Sequence, residues 1–180
     1  MRTLKKVVSA EVGHISELPD EDQVLLQYAA LARKNAQAPY SNYFVGVAVR
    51  NEEGHFFWGC NVERASYTQT THAEQNAIDT MVCRKGPSKV TAVGLVAAPA
   101  NVSVSLCDEP SAENQIKSIE QVPVPCGHCL QIIWENCFND PDVQLIAAVN
   151  GEVVVTTIGD ALPMRFGPKE LGVDYSKIAK

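Results

Sequence analysis

Two short motifs from distant parts of the chain carry the residue types that hold a metal ion. The first is His72-Ala73-Glu74, and the second is Pro125-Cys126-Gly127-His128-Cys129. Both stand where a helix is expected to begin, and the exposed amides of a helix start stabilise thiolates. Two thiolates and one imidazole are a soft ligand set suited to tetrahedral zinc. Three protein ligands would leave the fourth position for water, which is typical of a catalytic zinc site.

His128 offers an alternative to that open position. It lies inside the second motif and could be a fourth ligand, which would close the site and make it structural. Its place between two cysteine ligands on a tight turn disfavours this alternative. We therefore expect His72, Cys126 and Cys129 to be the zinc ligands.

Glu74 has two interpretations. With Thr71 it forms the pattern Thr-x-x-Glu, which is typical of a capping box at a helix start and needs no chemistry. Alternatively, it lies close to a zinc-bound water whose pKa the metal lowers, and it accepts and relays the proton. The pattern alone favours the cap. The presence of the cysteine motif reverses that preference, so we predict that Glu74 is catalytic.

The segments around these motifs predict alternating strands and helices. A helix should begin near Pro19, after which apolar residues recur at helical spacing. Further helices are expected over residues 71–84 and 126–138, and Asn150-Gly151 is a strong signal for a two-residue hairpin. Strands are predicted at 44–50, 55–62, 89–98, 143–150 and 152–158, while residues 99–125 form a polar excursion with one short helix. This pattern indicates a layered α/β domain.

The composition restricts the class of protein. The chain has 180 residues, 46% of them hydrophobic and 20% charged, which fits one compact globular domain. We expect a loose N-terminal extension over residues 1–18 and a single domain over residues 19–180. A net charge of −6 argues against a surface that binds nucleic acid. There is no apolar run long enough for a membrane span or a secretory signal, so the six cysteines are expected to be thiols or metal ligands in a reducing compartment, the cytoplasm, and not a disulfide framework.

The chain resembles the cytidine deaminase family from about Gln23 to Leu171. Besides the two zinc motifs, the resemblance lies in the segments PYSNYFVGVAV, GCNVERASY, VTAVGLVAA and LPMRFGPKEL. The combination H-x-E and P-C-x-x-C is typical of zinc nucleobase deaminases. The motifs H-A-E-Q and P-C-G-H-C are similar to the histidine-ligand form of the larger two-domain enzymes. The spacing from Asn61 to His72 is similar to that of the short single-domain enzymes.

The resemblance implies a role for each matching position. Zinc would be held by His72, Cys126 and Cys129, and Glu74 would be the proton shuttle. Asn61 and Glu63 would bind the ribose hydroxyls, although without the resemblance they would be interpreted as a solvated strand end. The remaining implied contacts are those of the base: the Ala73 amide with the pyrimidine carbonyl, the Val124 carbonyl with the exocyclic amine, and the side chains of Tyr43 and Val45 beside the ring.

Two further positions imply shared active sites. Phe166 would stack on the base, in many relatives after crossing from a neighbouring subunit, although it could instead be a local anchor for the tail. Tyr67 is expected at a subunit boundary. Relatives form tetramers or dimers, and this chain has features of both groups. We therefore expect a homo-oligomer without assigning the number of subunits.

Gln75 is consistent with a histidine-containing ligand set. Zinc with two thiolates and a neutral imidazole is formally neutral, whereas three thiolates leave one negative charge. The three-cysteine relatives place an arginine directly after the catalytic glutamate, where it offsets that charge. Gln75 donates hydrogen bonds there without adding charge.

The resemblance implies an α/β/α sandwich with a mixed sheet of about five strands. It also implies hydrolysis of cytidine and 2′-deoxycytidine to uridine and 2′-deoxyuridine in pyrimidine salvage, with release of ammonia. One alternative is a deaminase for a modified cytosine nucleoside, such as a nucleoside antibiotic. A nucleotide or nucleic acid substrate is disfavoured because Glu63 would repel phosphate, and a non-enzymatic zinc module is disfavoured by the intact Glu74.

Overall fold

The computed structural model describes residues 1–109 and 113–174. Residues 110–112 of the predicted excursion and residues 175–180 of the predicted domain lie outside this part. The strands are β1 (Glu11–Gly13), β2 (Tyr43–Asn51), β3 (Phe56–Cys60), β4 (Val90–Pro99), β5 (Gln144–Val149) and β6 (Glu152–Thr157). The α-helices are α1 (Asp20–Arg33), α2 (Ala73–Lys85), α3 (Gly127–Asn136) and α4 (Ile158–Ala161). Short 3₁₀ helices lie at Ile15–Glu17, Ile119–Gln121 and Pro168–Leu171.

The strands form one mixed sheet in the order β1-β6-β5-β4-β2-β3. Only β4 and β5 pair in parallel, and the other neighbouring strands are antiparallel. The connection between β4 and β5 contains α3, as a parallel crossover requires. The predicted hairpin joins β5 to β6, and both Asn150 and Gly151 have the positive φ angles of a two-residue turn.

The sheet has six strands within the described residues, one more than the five predicted. The additional strand is β1, which pairs with β6 at the sheet edge. The chain before it is also attached, because Ser9 donates to Asp160 and accepts a hydrogen bond from Thr156. The expectation of a loose N-terminus is therefore wrong at this segment. Three residues are too few to show alternation, and only the exposed edge of β6 makes them a strand.

Helices cover both faces of the sheet, as the predicted α/β/α sandwich requires. Alternate residues of β2 divide between the two cores: Val47 and Val49 face α2 and α3, whereas Ala48 faces α1. The core under α2 and α3 also contains Ile78 and Ile133. The three-layer fold is confirmed. Within the described ranges, no helix combines the length and the apolar character needed to cross a membrane.

Helix α2 packs against β3 through a close approach of the two backbones at Gly59. A Cβ atom at this position would lie 2.5 Å from the Ala77 nitrogen and 2.7 Å from the Asn76 carbonyl carbon. The Asn76 side chain also donates to the Cys60 carbonyl at 3.0 Å. Both contacts fix the distance between the sheet and the helix that begins just after His72.

We therefore expect Gly59→Ala to lower the free energy of unfolding by about 1–3 kcal/mol, because the added methyl group clashes with helix backbone that cannot move alone. Urea denaturation in the presence of a chelator measures this loss on the metal-free chain. Gly127→Ala is the matched control, since a Cβ atom there would meet nothing within 4 Å. An equal effect of the two substitutions would contradict the close packing of α2.

Candidate active site

The two predicted motifs lie at the starts of α2 and α3. His72 is the residue immediately before α2, and Cys126 is the residue immediately before α3. Helix α2 begins two residues later than predicted, because the backbone of Thr71 exchanges two hydrogen bonds with that of Val62 and is held extended. The His72 carbonyl accepts a hydrogen bond from the Asn76 amide at 2.9 Å. Together with the bridge at Thr71, this bond fixes the backbone of His72 at the start of α2.

Three donor atoms converge between these helix starts. His72 Nδ1 lies 3.3 Å from Cys129 Sγ and 3.5 Å from Cys126 Sγ. Among the residues that the structure describes, these three side chains form the group that could hold a metal ion, with all donor atoms within 4.8 Å of one another. His128 is exposed and is not in this group; its ring packs edge-on against that of His72 at 5.5 Å.

The environment of Cys129 fits a site that receives a cation. The residue is fully buried, and this burial, together with the nearby Glu74 carboxylate and Cys126, raises the pKa of its thiol. Ionising several acidic groups this close together, with Cys129 and Glu74 buried, is unfavourable without a positive charge. A divalent cation reverses the effect, because it stabilises the thiolates that bind it. Two sulfurs and one imidazole nitrogen match the ligands that zinc prefers.

Glu74 does not cap its helix. The N-cap residue is His72 instead of Thr71, and its side chain makes no capping hydrogen bond, so the capping box is absent. The Glu74 carboxylate instead lies close enough to the Cys129 thiol to raise its pKa. Only 5% of Glu74 is exposed. The structure thus places a buried carboxylate beside the metal-ligand group.

A cavity of about 450 Å³ opens above this group. Its size falls in the usual range for small-molecule sites, roughly 300–1,000 Å³. Ten of the predicted site residues line it: Tyr43, Val45, Asn61, Glu63, Tyr67, His72, Ala73, Glu74, Val124 and Cys126. Cys129 lies below, buried among the ligands. Pro125 of the second motif also lines the cavity. Sequence patterns missed the other wall residues, because most of them are small or apolar and have no recognisable spacing; these are Ser41, Thr70, Leu95, Ala97 and Pro123.

Asn61 and Glu63 support the cavity wall as well as facing the cavity. The Asn61 side chain accepts from the Val45 amide and donates to the Tyr43 carbonyl, both at 2.9 Å. It therefore continues the pairing of β2 beyond the end of β3. The Glu63 carboxylate accepts from the backbone amides of Tyr40 and Ser41. Hydrogen bonds from the Ser41 hydroxyl and these amides lower the pKa of Glu63, so its carboxylate is charged at neutral pH.

Two predicted residues lie outside the cavity. Gln75 is half-buried on α2, directly after Glu74. Phe166 is 58% exposed, and its backbone carbonyl accepts from the Gln131 side chain. The structure therefore does not bring the Phe166 side chain into the cavity of its own chain. Tyr67, at the cavity rim, is also exposed and packs near Tyr40.

The fold is α/β, with a mixed sheet covered by helices. The group of His72, Cys126 and Cys129 at the starts of two helices gives this fold a zinc site. Residues 19–143 match the model of the cytidine and deoxycytidylate deaminase zinc-binding region. The chain belongs to this deaminase family, and zinc is its cofactor.

Individual relatives agree with this assignment. The chain is 30% identical over 147 residues to a cytidine deaminase of Sporosarcina psychrophila, which covers 82% of this chain and 92% of the relative. A cytidine deaminase of Proteus mirabilis is 32% identical over 156 residues, or 86% of this chain, but the match spans only 42% of that longer protein. The crystal structure of a cytidine deaminase from Burkholderia pseudomallei superposes with a TM-score of 0.60 at 32% identity, covering 79% of this chain and 97% of the other.

We expect the purified protein to contain about one zinc ion per chain, held by the three-residue group. Cys129→Ser should reduce the zinc content far below this value, because a neutral hydroxyl replaces a thiolate ligand. Elemental analysis of the dialysed proteins measures the content. Cys83→Ser, which removes an exposed thiol of α2, should leave it unchanged. A loss of zinc in His128→Ala equal to that in Cys129→Ser would instead support a four-ligand site.

Proposed function

We propose that the protein deaminates cytidine and 2′-deoxycytidine hydrolytically, producing uridine or 2′-deoxyuridine and ammonia. The observation that carries this proposal is the buried Glu74 carboxylate beside three metal-ligand atoms at the base of a cavity. The match to the deaminase family and the names of its relatives support the choice of reaction.

Zinc bound by His72, Cys126 and Cys129 would supply the activated water, because coordination lowers the pKa of water towards neutrality. Glu74 then has two tasks. It accepts the proton of the water as the oxygen attacks C4 of the cytosine ring and delivers a proton to N3. It then takes the proton of the hydroxyl group formed on C4 and passes it to the amino group, so that the C4 carbonyl forms as the C–N bond breaks and ammonia leaves. One water is consumed and one ammonia is released, so the reaction needs no other reactant.

Free nucleosides are the substrates that the electrostatics of the cavity favour. Glu63 and Asn61 are proposed to bind the ribose hydroxyls from the cavity wall, where a hydroxyl can donate to the Glu63 carboxylate. Since the local hydrogen bonds keep Glu63 ionised, a phosphate at the same place would be repelled. This repulsion favours nucleosides over nucleotides and nucleic acids.

The base is proposed to contact four other positions in the wall. The first amide of α2, that of Ala73, has no partner in the preceding turn of the helix and is proposed to donate to the pyrimidine carbonyl. The Val124 carbonyl is proposed to accept from the exocyclic amine, and Tyr43 and Val45 are proposed to lie beside the ring. All four residues line the same cavity. Gln75 is proposed to stabilise the ligand group without adding charge.

We also propose that the protein forms a homo-oligomer whose active sites are shared, with Phe166 reaching the cavity of a neighbouring subunit. Phe166 is exposed and does not line the cavity of its own chain, and both observations support this arrangement. Tyr67 is proposed to lie at the same boundary.

A single catalytic domain over residues 19–180 with an extension over residues 1–18 is supported by the family match, which begins at residue 19. The free thiols support the cytoplasm as the setting, and the reaction is proposed to serve pyrimidine salvage there.

Glu74→Gln should retain zinc and the fold but reduce the turnover of cytidine by a factor of about 10²–10⁴ or more, because the amide cannot accept and relay protons. The decrease in ultraviolet absorbance on conversion of cytidine to uridine measures turnover. Glu113→Gln, an exposed glutamate outside the cavity, is the control and should remain fully active. Substantial activity of the Glu74→Gln variant would contradict the proposed role of Glu74 as the proton shuttle. If the wild-type protein deaminates another cytosine compound but neither cytidine nor 2′-deoxycytidine, the proposed choice of substrate is wrong.

Complementation tests the shared site. Phe166→Ala and Glu74→Gln should each be nearly inactive alone, but co-expression should restore activity well above their sum. In mixed oligomers, a Phe166→Ala subunit keeps its own Glu74 and receives Phe166 from its Glu74→Gln neighbour. Co-expression of Glu74→Gln with His72→Ala is the control, because both substitutions damage the chain's own cavity and no site can be intact. Equal results in the two mixtures would contradict the exchange of Phe166.

A further inference from the structure

Arg33, the last residue of α1, is a buried cation on the side of the sheet opposite the cavity. Only 8% of it is exposed. Its guanidinium lies within hydrogen-bond distance of four backbone carbonyls: Nε donates to Phe44 at 3.2 Å, and the two N–H groups of one terminal nitrogen are shared among Ala98 at 3.1 Å, Pro99 at 2.8 Å and Val102 at 3.1 Å. It forms no ion pair with any described residue.

The carbonyls that Arg33 binds lie directly behind the cavity wall. Phe44 of β2 and Ala98 of β4 are paired across the two strands. Their neighbours Val45 and Ala97 are also paired, and both line the cavity. Because side chains alternate along a strand, Phe44 lies on the α1 side while Val45 faces the cavity. Arg33 therefore joins β2 and β4 at the level of the cavity.

The ends of β2 and β4 pair with each other, and the Ala100 amide donates to the Asn42 carbonyl, but the ends extend beyond their outer neighbours β3 and β5. Strand β3 stops at Cys60, opposite Gly46, so residues 43–45 of β2 extend beyond it. On that edge they are held by Asn61, as described above. On the other side, β4 ends at Pro99, and the chain turns immediately into the 100–125 excursion. The Arg33 side chain thus donates hydrogen bonds to three segments: β2, β4 and, at Val102, the first turn of the excursion.

A guanidinium suits this task better than the alternatives. Burial of a cation is costly unless polar contacts compensate for it, and here the carbonyl dipoles do so together with the Phe44 ring, whose centroid lies 5.9 Å from the guanidinium carbon. An apolar residue would fill the same space without that cost. Lysine carries one compact donor group, whereas the planar fork of arginine reaches carbonyls on separate segments at once. We therefore attribute the presence of a buried arginine at position 33 to the geometry of its hydrogen bonds and not to its charge.

We propose that Arg33 is a positioning residue for substrate binding, which holds the wall formed by Tyr43, Val45 and Ala97 at the correct distance from Glu74 and the zinc ligands. This inference rests on the proposed function. Arg33 does not touch the substrate and acts through the wall. The catalytic group and the ligands lie on α2 and α3, which Arg33 does not contact through hydrogen bonds, so its loss acts on substrate binding and spares proton transfer.

Arg33→Lys and Arg33→Met test this role against the wild type, with Lys34→Met as the matched control at the neighbouring exposed position. In both Arg33 variants, KM for cytidine and the Kd for uridine should rise about tenfold or more, which corresponds to about 1.4 kcal/mol. The value of kcat should change less than about threefold, because the wall does not take part in chemistry. Zinc content should stay the same, and Lys34→Met should match the wild type throughout.

Chemical rescue supplies the second measurement. Methylguanidinium, at concentrations far below those that unfold proteins, should lower KM of Arg33→Ala towards the wild-type value. Methylammonium, which has the charge but not the fork, should not. A purely stabilising residue would show a lower Tm in its variants but an unchanged KM, and that result would overturn the proposal. A fall in kcat at constant KM would overturn it as well.

Failure of the variants to fold would also count against the proposal, because Arg33 would then support the whole domain instead of the cavity wall. Failure of the proposed function is seen separately, in a wild-type protein that does not deaminate cytidine.

Discussion

The convergence of two helix starts is the constraint on which the rest of the structure depends. The ligand atoms of His72, Cys126 and Cys129 come from segments far apart in the chain, yet they meet within 4.8 Å. This requires α2 and α3 to begin at the same end of the sheet and on the same face. The backbone contact at Gly59, the bridge between Val62 and Thr71, and the crossover from β4 to β5 through α3 all serve this geometry.

The opposite face of the sheet has a complementary role. The ligands and Glu74 belong to α2 and α3, whereas much of the cavity wall belongs to β2 and β4, whose other sides pack on α1. Polar side chains hold these strand ends where the regular pairing stops. Asn61 supports one edge of β2, and Arg33 supports the opposite side. The helix starts bring the metal-ligand group and Glu74 together, and the supported strand ends form part of the cavity wall.

Local patterns predicted most of the regular structure and the residues of the site. Five strands and the three long helices were expected near their observed positions, because their apolar periods are long and their boundaries have clear turn or helix-start signals. The strand β1 was missed, since three residues carry no period and pairing with β6 alone defines them. The small and apolar wall residues were missed for a similar reason. Leu95 and Ala97 look like any buried strand, and only the fold places them beside Glu74.

The sequence by itself determined the ligand types, the carboxylate beside them and the alternation of strands and helices, because these depend on residue chemistry and on spacing within short segments. The tertiary structure decided where α2 begins, and therefore that Glu74 does not form a capping box with Thr71. The hydrogen bonds that hold Thr71 extended shift the helix start to His72, and the carboxylate turns from the cap towards Cys129. It also decided that Phe166 is exposed and apart from its own cavity. Such outcomes depend on contacts between segments distant in the chain, which short-range patterns do not encode.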